Sequence, residues 1–453
     1  MVPRVLGDLR FAVRSARCRP LVLRAVVLTL TLGLGASAAR SPVVRAASAA
    51  GLSFTAAERP RPQQSQALPE ARLSANDRIA LSEKIVADIR TWFSHWKAVP
   101  SLDFAKAAAD YLAKARTVES RRDFDMATLE LFGQLHNSHS GFYDSQLDTA
   151  TGLDVRPLGQ RWVVFKSRRE GIRVGDEVLT VDGRPVEAFF QAQRRYLCTS
   201  SDRTDRVELF RRGYVFPPTF ELGLGDGRQV RVTVGRAGLL PLKDVPPVEG
   251  RWLEEGRLAY LRVGSFSKRE YETEAIAQVK RFQSAQALIL DLRSNLGGNT
   301  PTRLAKALIG EGFRSQWVES TTLSTVMTGR PSFLQYLRTS LFVHPGVAFR
   351  GRILVLQDVA TMSAAEDLMM PLKQAKRATF IGAASHGSTG QPHWHEFDNG
   401  MSFRVGAKRQ LMLDGTRFEG VGIPVDVAVA PTVEDLREGR DPVLARAIAE
   451  SRR

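Results

Sequence analysis

The chain has 453 residues, of which 43% are hydrophobic and 25% are charged, so its composition is that of a globular protein and not of a disordered or fibrous one. This length exceeds what one ordinary hydrophobic core supports, and two or three domains are expected. The formal net charge is +16, but no basic block interleaved with aromatic residues is present, which argues against a nucleic-acid-binding protein.

The N-terminal segment has the pattern of an export signal. Six arginines, of which Arg24 is the last, precede a short apolar stretch, residues 25–39 (AVVLTLTLGLGASAA), that ends in small residues. A spanning helix needs about 20 apolar residues, and Arg24 would interrupt any longer span. The Ala-Ser-Ala pattern at 36–38 predicts cleavage after Ala38, although a second such pattern lies at 47–49. We therefore expect a signal peptide over residues 1–38 and a periplasmic or extracellular protein; a retained single-pass anchor is the alternative.

Cleavage would change both the charge and the cysteine content. Residues 1–38 hold six arginines and one aspartate, so their removal lowers the net charge of +16 by five, to +11. That balance is compatible with peripheral contact with an acidic cell envelope or with acidic peptides. Cys18 lies in the presumed signal and Cys198 then stands alone, so no intramolecular disulfide is expected. Cys198 is predicted to be a small buried side chain.

Four segments follow the signal. Residues 39–75 are rich in Ala, Ser, Pro and Gln, which predicts a flexible linker. Residues 76–148 contain three stretches with helical periodicity and an Asp near each start, and predict a small helical domain. Short β-like runs separated by turn residues predict a β-rich domain over 149–242. Over 243–453 strands and helices alternate, which predicts an α/β core with a mostly parallel, helix-covered sheet.

One serine lies between a strand and a helix of that core. Ser363 follows the apolar run 353–357 (ILVLQ) and precedes a helical pattern that begins at Ala364. Catalytic groups favour this edge of α/β sheets, and the free N–H groups of a helix N-terminus suit a developing oxyanion. Taken alone, the position is better explained by an ordinary serine N-cap.

Two further stretches carry chemistry in combination with a serine. Residues 291–299 (DLRSNLGGN) follow another apolar strand, and Gly297 and Gly298 permit a tight turn that aims N–H groups into a cleft. A plain strand-to-helix turn is the alternative. Residues 136–144 (HNSHSGFYD) place His136 and His139 in a loop, and histidine is the usual base for a serine nucleophile.

A metal site is not predicted. His393 and His395 would lie on one face of an extended strand, but no third ligand at a convincing spacing follows them. The expected default is a solvated strand face, and neither cysteine has metal-ligand spacing.

Together these stretches resemble the C-terminal processing peptidase and tricorn core protease superfamily of serine peptidases. The resemblance covers about residues 76–435 and rests on motifs that occur in the family's order: LILDLRSNLGG, TMSAAEDL, RATFIGAASHGSTG and FEGVGIPVDVAV. Residues 169–186 resemble the second half of a PDZ domain, with a shortened segment before the Gly-Asp pair.

The resemblance implies which branch of the family is present. One branch pairs the serine with a lysine, but Ser388 stands at the matching position, and Lys373 and Lys376 do not align with it. The other, tricorn-like branch uses a histidine in a Ser-His pair, and NSHSGF matches that pair at Ser138-His139. The resemblance thus implies a serine nucleophile with a histidine base.

The remaining site residues follow from the same resemblance. Ser138 and Glu419 would orient and stabilise the base, and the N–H groups of Gly297 or Gly298 and of Ala364 would hold the oxyanion. The implied function is an exported endopeptidase that acts on unfolded or C-terminal segments of polypeptides, without a cofactor. Two alternatives stay open: an inactive peptide-binding protein on the same fold, and an esterase or amidase acting on a small acyl substrate.

Overall fold

The computed structural model describes residues 73–453 except 148, 242–244, 315, 321–336, 340, 341, 345 and 347. The predicted signal peptide and residues 39–72 of the predicted linker lie outside the described residues. Within the described ranges, no helix is long and apolar enough to cross a membrane.

Three helices open the described chain. They are α1 (Ala75–Trp92), α2 (Phe104–Thr117) and α3 (Arg121–Gly133). Each begins after a side chain that accepts a hydrogen bond from the first helical turn: Ser74, Asp103 and Ser120. Such caps satisfy N–H groups that the helix itself leaves unpaired, so the polar residues before each apolar pattern set where the helices start.

A small antiparallel sheet connects these helices to the far end of the chain. β1 (Gly141–Asp144) pairs with β18 (Met401–Gly406), which pairs with β17 (Pro392–Glu396). Phe142 and Phe403 face each other in this sheet and contact Phe124 and Phe132 of α3, respectively. The loop that carries His139 is thereby fixed beside the C-terminal half of the chain.

The β-rich region is an antiparallel sheet with strand order β2-β3-β4-β6-β7, with β5 paired to β4. Its strands are β2 (Leu153–Leu158), β3 (Arg161–Ser167), β4 (Glu177–Val181), β5 (Arg184–Pro185), β6 (Thr219–Leu224) and β7 (Gln229–Thr233). Two helices, α4 (Val186–Gln193) and α5 (Asp202–Glu208), belong to this region. Its buried aromatic side chains form one core with the N-terminal helices.

The core sheet has strand order β20-β16-β15-β10-β9-β8 and is parallel except at β8. Its strands are β8 (Val248–Glu254), β9 (Leu258–Val263), β10 (Ala287–Asp291), β15 (Arg352–Gln357), β16 (Ala378–Gly382) and β20 (Val427–Ala428). The central strand β10 is buried along its whole length, as expected for a parallel sheet covered on both faces.

Helices cover this sheet on both faces. α6 (Arg269–Arg281), α7 (Thr302–Ile309) and α8 (Ala364–Gln374) enclose one core, and α10 (Pro442–Glu450) encloses the other, after the short α9 (Val433–Glu438). The predicted α/β class with a mostly parallel, helix-covered sheet is confirmed.

Shorter elements complete the described part. These are the strands β11 (Phe313–Arg314), β12 (Trp317–Ser320), β13 (Leu337–Thr339), β14 (Phe342–Val343) and β19 (Lys408–Leu411), and the 3₁₀ turns Trp96–Ala98, Arg194–Tyr196, Leu209–Arg211 and Gly213–Val215. β19 pairs with β12, which pairs with β13.

Candidate active site

Ser363 occupies a strained turn between β15 and α8. Its backbone has φ 58° and ψ −125°, a conformation that residues with a Cβ rarely adopt. Two hydrogen bonds hold it there: its N–H donates to the carbonyl of Ser388 at 3.0 Å and to the carboxylate of Glu366 at 3.2 Å. These hydrogen bonds stabilise an unusual backbone conformation that an ordinary helix N-cap does not require.

The side chain of Ser363 meets that of His139. Ser363 Oγ lies 3.0 Å from His139 Nε2, and His139 Nδ1 lies 2.8 Å from Ser388 Oγ. Ser388 Oγ in turn donates to Glu419 Oε1 at 2.8 Å. An ionised carboxylate only accepts, so Ser388 accepts from His139 Nδ1–H, and Nε2 is left as the acceptor for the Ser363 hydroxyl. This order of donors gives the imidazole the tautomer of a general base.

Glu419 is held by groups from distant parts of the chain. Its Oε1 also accepts from Asn137 Nδ2 at 2.8 Å and from Ser200 Oγ at 2.5 Å. Its other oxygen lies 4.0 Å from Nδ1 of the buried His95. Burial raises the pKa of Glu419 to about 7, because the charged form loses water, although the donors from Ser200 and Ser388 favour that form.

Ser138 requires a correction. The resemblance implied that it orients the base, but its Oγ lies 2.7 Å from His386 Nε2 and 3.1 Å from Ser200 Oγ. The hydroxyl that contacts the ring of His139 belongs to Ser388. Adjacent side chains of the loop point in different directions, so only one of the pair reaches Ser363, and Ser138 connects to Glu419 through Ser200 instead.

Sequence reasoning treated Ser388 only as the residue that replaces a lysine. Its position was nevertheless a signal, because a site from which a lysine reaches the nucleophile is also one from which a serine can reach the base. No comparable signal existed for Asn137, Ser200 or His386. Each is polar and buried, but buried polarity becomes visible only once the core is assembled.

Glu366 holds the segment that carries Ser388. Its carboxylate accepts from Ser385 Oγ at 2.5 Å, from Gly387 N at 2.7 Å and from Ser388 N at 3.0 Å, in addition to Ser363 N. Burial raises the pKa of Glu366 to about 8, against these hydrogen bonds. Glu366, a buried side chain in the first turn of α8, thus positions both Ser363 and Ser388, whose hydroxyl contacts His139.

The glycine turn lies against the nucleophile. Gly297 has φ 92°, and a Cβ there would lie 2.5 Å from that of Ser363; Gly298 has φ 132°, and its Cβ would lie 2.2 Å from the carbonyl of Phe266. The N–H of Gly297 already donates to Asn295 Oδ1 at 2.8 Å. Gly297 thus permits the close approach, and its neighbour Gly298 is the better oxyanion donor.

Two N–H groups remain for an oxyanion. Within the described residues, no hydrogen bond to another group occupies the N–H of Gly298 or of Ala364, the first residue of α8. Both stand beside Ser363, one on the glycine turn and one at the helix N-terminus, where the helix dipole adds positive potential. This pair forms an anion-binding arrangement suited to a tetrahedral intermediate.

Burial controls the charge of His139. It lowers the pKa of His139 well below its usual value, and the positive potential of Arg404 acts in the same direction. The imidazole is therefore neutral at neutral pH, as a base must be before it accepts a proton.

The lysines and the other loop histidine lie outside this arrangement. Lys373 pairs with Asp426, and Lys376 lies beyond the C-terminal end of α8. The exposed His136 has no part in the series of hydrogen bonds between Ser363 and Glu419. These positions agree with a histidine base and not with a lysine base.

His393 and His395 also lie elsewhere. Both face the carboxylate of Asp88 on α1, at 3.5 and 3.9 Å. Across the part of the chain that the structure describes, no group of three His, Cys, Asp or Glu side chains could hold a metal ion. Burial raises the pKa of Cys198 to about 12, so its thiol is neutral and a poor nucleophile.

The second half of the chain and the fold both resemble those of known peptidases. Residues 257–429 match the model of Peptidase family S41. Mature CPAF has a similar fold, with a TM-score of 0.63 and 17% identity over 80% of this chain and 94% of that chain. CPAF complexed with lactacystin has a TM-score of 0.63 and 17% identity, over 80% of this chain and 95% of that chain. The photosystem II D1 C-terminal processing protease has a TM-score of 0.49 and 19% identity, over 80% of this chain and 97% of that chain.

Residues 257–429 therefore carry the sequence pattern of this family of serine peptidases, which agrees with the resemblance drawn from the motifs. The matched range contains Ser363, Ser388 and Glu419 but not His139.

Proposed function

We propose that the protein is a serine endopeptidase in which Ser363 is the nucleophile and His139 the general base. The observation that carries this proposal is the unbroken series of hydrogen bonds from Ser363 through His139 and Ser388 to Glu419, with distances of 3.0, 2.8 and 2.8 Å. Nucleophile, base and orienting groups at such distances are the recognisable geometry of acyl transfer.

Acylation follows from this geometry. His139 Nε2 takes the hydroxyl proton as Ser363 Oγ bonds to the peptide carbonyl carbon, and the carbonyl oxygen becomes an oxyanion. The N–H groups of Gly298 and Ala364 stabilise that charge, each by about 3–4 kcal/mol by analogy with measured losses of such donors. His139 then protonates the leaving amine, the C–N bond breaks, and an acyl ester on Ser363 remains.

Deacylation repeats the same reaction steps with water as the nucleophile. His139 removes a proton from a water molecule as its oxygen attacks the ester carbon, and the same N–H pair stabilises the second oxyanion. Collapse returns the proton from His139 to Ser363 Oγ and releases the carboxylic acid product.

Ser388 and Glu419 support the charged intermediate. When His139 becomes an imidazolium, its Nδ1–H continues to donate to Ser388, which donates to the carboxylate of Glu419. The negative charge thus acts through one hydroxyl, and burial strengthens the interaction because little water screens it.

The substrate and the location belong to the same proposal. The signal-like N-terminus supports export, and the PDZ-like segment supports action on unfolded or C-terminal parts of polypeptides. The inactive peptide-binding alternative rests on the missing lysine and on the shortened PDZ-like segment, and the contact between Ser363 and His139 weakens the first of these arguments. The esterase or amidase alternative is less favoured, because the match of residues 257–429 to a peptidase family supports a peptide substrate.

Labelling with a serine-reactive fluorophosphonate, combined with peptide hydrolysis, tests the proposal. The wild type should be labelled and active, and Ser363→Ala should be neither while keeping the same circular dichroism spectrum. Ser82→Ala is the matched control, because it removes a buried hydroxyl on α1 that donates to the carbonyl of Ile79, away from this series of hydrogen bonds. Undiminished hydrolysis by purified Ser363→Ala would refute the assignment.

A further inference from the structure

The outer face of the small sheet β1-β18-β17 carries a cluster of aromatic and basic side chains, of which Trp394 is exposed and Tyr143 and Arg404 are half-buried. Gly141 pairs with Arg404, which pairs with Trp394, so their side-chain positions share one face, and Tyr143 lies two residues along β1 on that face. Phe142 points the opposite way, into the core. We call Tyr143, Arg404 and Trp394 the aromatic platform.

The platform is held in place before anything binds. The rings of Tyr143 and Trp394 stack with centroids 5.8 Å apart and planes 23° from parallel. The guanidinium carbon of Arg404 lies 5.7 Å from the first ring centroid and 5.5 Å from the second. Stacking and cation–π contacts of this kind fix three large side chains at once. Trp394 nevertheless keeps 41% of its surface exposed.

The platform is continuous with the base. β1 begins two residues after His139, and Arg404 Nη2 donates to the carbonyl of Ser138 at 2.8 Å. A Cβ at Gly141 would lie 3.3 Å from the hydroxyl oxygen of Tyr143, so the glycine lets the Tyr143 ring lean back along β1 toward His139. Four residues of extended chain span about 13 Å, so a peptide reaching from the base to Tyr143 needs three or four residues.

We propose that the aromatic platform is a substrate subsite that binds a large apolar or aromatic side chain three or four residues beyond the scissile bond on the leaving-group side. The inference rests on the proposed function. It follows from the direction of proton transfer, because the leaving amine receives its proton from His139 and the leaving segment therefore lies on that side. Trp, Tyr and Arg are also the residues that most often dominate binding energy at protein interfaces.

Two fluorogenic peptides with the same residues around the scissile bond test the subsite. One ends two residues after that bond, and the other extends six residues and carries Phe at the third and fourth positions. In Trp394→Ala, the ratio of kcat/KM for the long peptide to that for the short one should fall about tenfold, through KM. Trp394→Phe should restore most of the ratio. Phe342→Ala, which removes a similarly exposed aromatic side chain on β14, should leave the ratio unchanged.

Other outcomes would overturn the subsite. An unchanged ratio in Trp394→Ala would mean that the platform binds no substrate, and an equal loss for both peptides would mean that it only supports the position of His139. If light scattering shows a wild-type dimer that Trp394→Ala converts to a monomer with an unchanged ratio, the face binds a second copy of the chain.

A failure of the proposed function can be told apart from a failure of the subsite. If the fluorophosphonate does not label the wild type, the catalytic assignment fails, but binding of the long peptide can still be measured by fluorescence anisotropy. Affinity should then be weaker in Trp394→Ala than in wild type, and equal affinities would end the proposal.

Discussion

The proposed nucleophile and the proposed base are positioned in different ways. The turn at Ser363 is a local feature: β15, the turn and α8 are contiguous, and Glu366 secures the turn from one helical turn away. The base arrives from elsewhere, because His139 lies on a loop that becomes part of the site only when β1 pairs with β18. The core sheet thus positions the proposed nucleophile, whereas the packing of the N-terminal helices brings the proposed base to it.

The largest expected effect comes from removing the proposed base, His139, while leaving the turn at Ser363 intact. His139→Ala should lower kcat by about 10⁴–10⁶-fold, as loss of a base does in unrelated triads, while the turn at Ser363 keeps its hydrogen bonds. Steady-state hydrolysis measures the loss, and His136→Ala should stay close to wild type. Near-normal kcat in His139→Ala together with an inactive Lys373→Ala would replace this site with a displaced Ser–Lys dyad.

Replacing Glu366 should disturb both the turn at Ser363 and the segment that carries Ser388. In Glu366→Gln the amide group brings donors toward the N–H groups of Gly387 and Ser388, so at least one buried donor loses its acceptor. We expect about 2–3 kcal/mol less unfolding free energy and about 10²–10³-fold lower kcat. Urea denaturation and hydrolysis measure the two effects. Glu434→Gln, at an exposed position in α9, is the control and should change neither.

Ser388→Ala sharpens the comparison by interrupting the connection between the base and its carboxylate. Without the hydroxyl, His139 Nδ1–H loses its acceptor and the imidazole is no longer held in one tautomer, so kcat should fall about 10²-fold or more with little change in KM. Ser200→Ala should cost only about tenfold, since Glu419 keeps the donors from Ser388 and Asn137. Equal losses in the two variants would contradict a direct role for Ser388.

The smallest effect is a shift in pH dependence. His139 has a lowered pKa, so it is a neutral base until well below pH 6.5, whereas the pKa of Glu419 is raised to about 7. As pH falls through about 7, Glu419 gains a proton and loses the charge that stabilises the imidazolium, so kcat/KM should fall there. In Glu419→Gln the plateau should be lower and this fall should move well below pH 6.5. An identical acidic limb in both proteins would assign it to another group.

The sequence by itself determined the local parts of this protein. Strand–helix alternation indicated the mostly parallel core, the polar residues before each apolar pattern indicated the helix starts, and the motifs around Ser363 and Gly298 indicated the nucleophile turn and its glycine neighbour. These features depend on spacing within one or two elements, which periodicity and turn chemistry record directly.

Only the tertiary structure decided how the base is oriented. The contact between His139 and Ser388 joins residues 249 positions apart, and that between Ser200 and Glu419 joins residues 219 apart. Such partners are chosen by how helices and sheets pack, and no local pattern records that choice. For the same reason the hydroxyl that contacts His139 belongs to Ser388 and not to the adjacent Ser138, which the motif suggested. A motif shows which residues are neighbours along the chain, whereas burial and hydrogen bonding in the assembled core decide which side chains face each other.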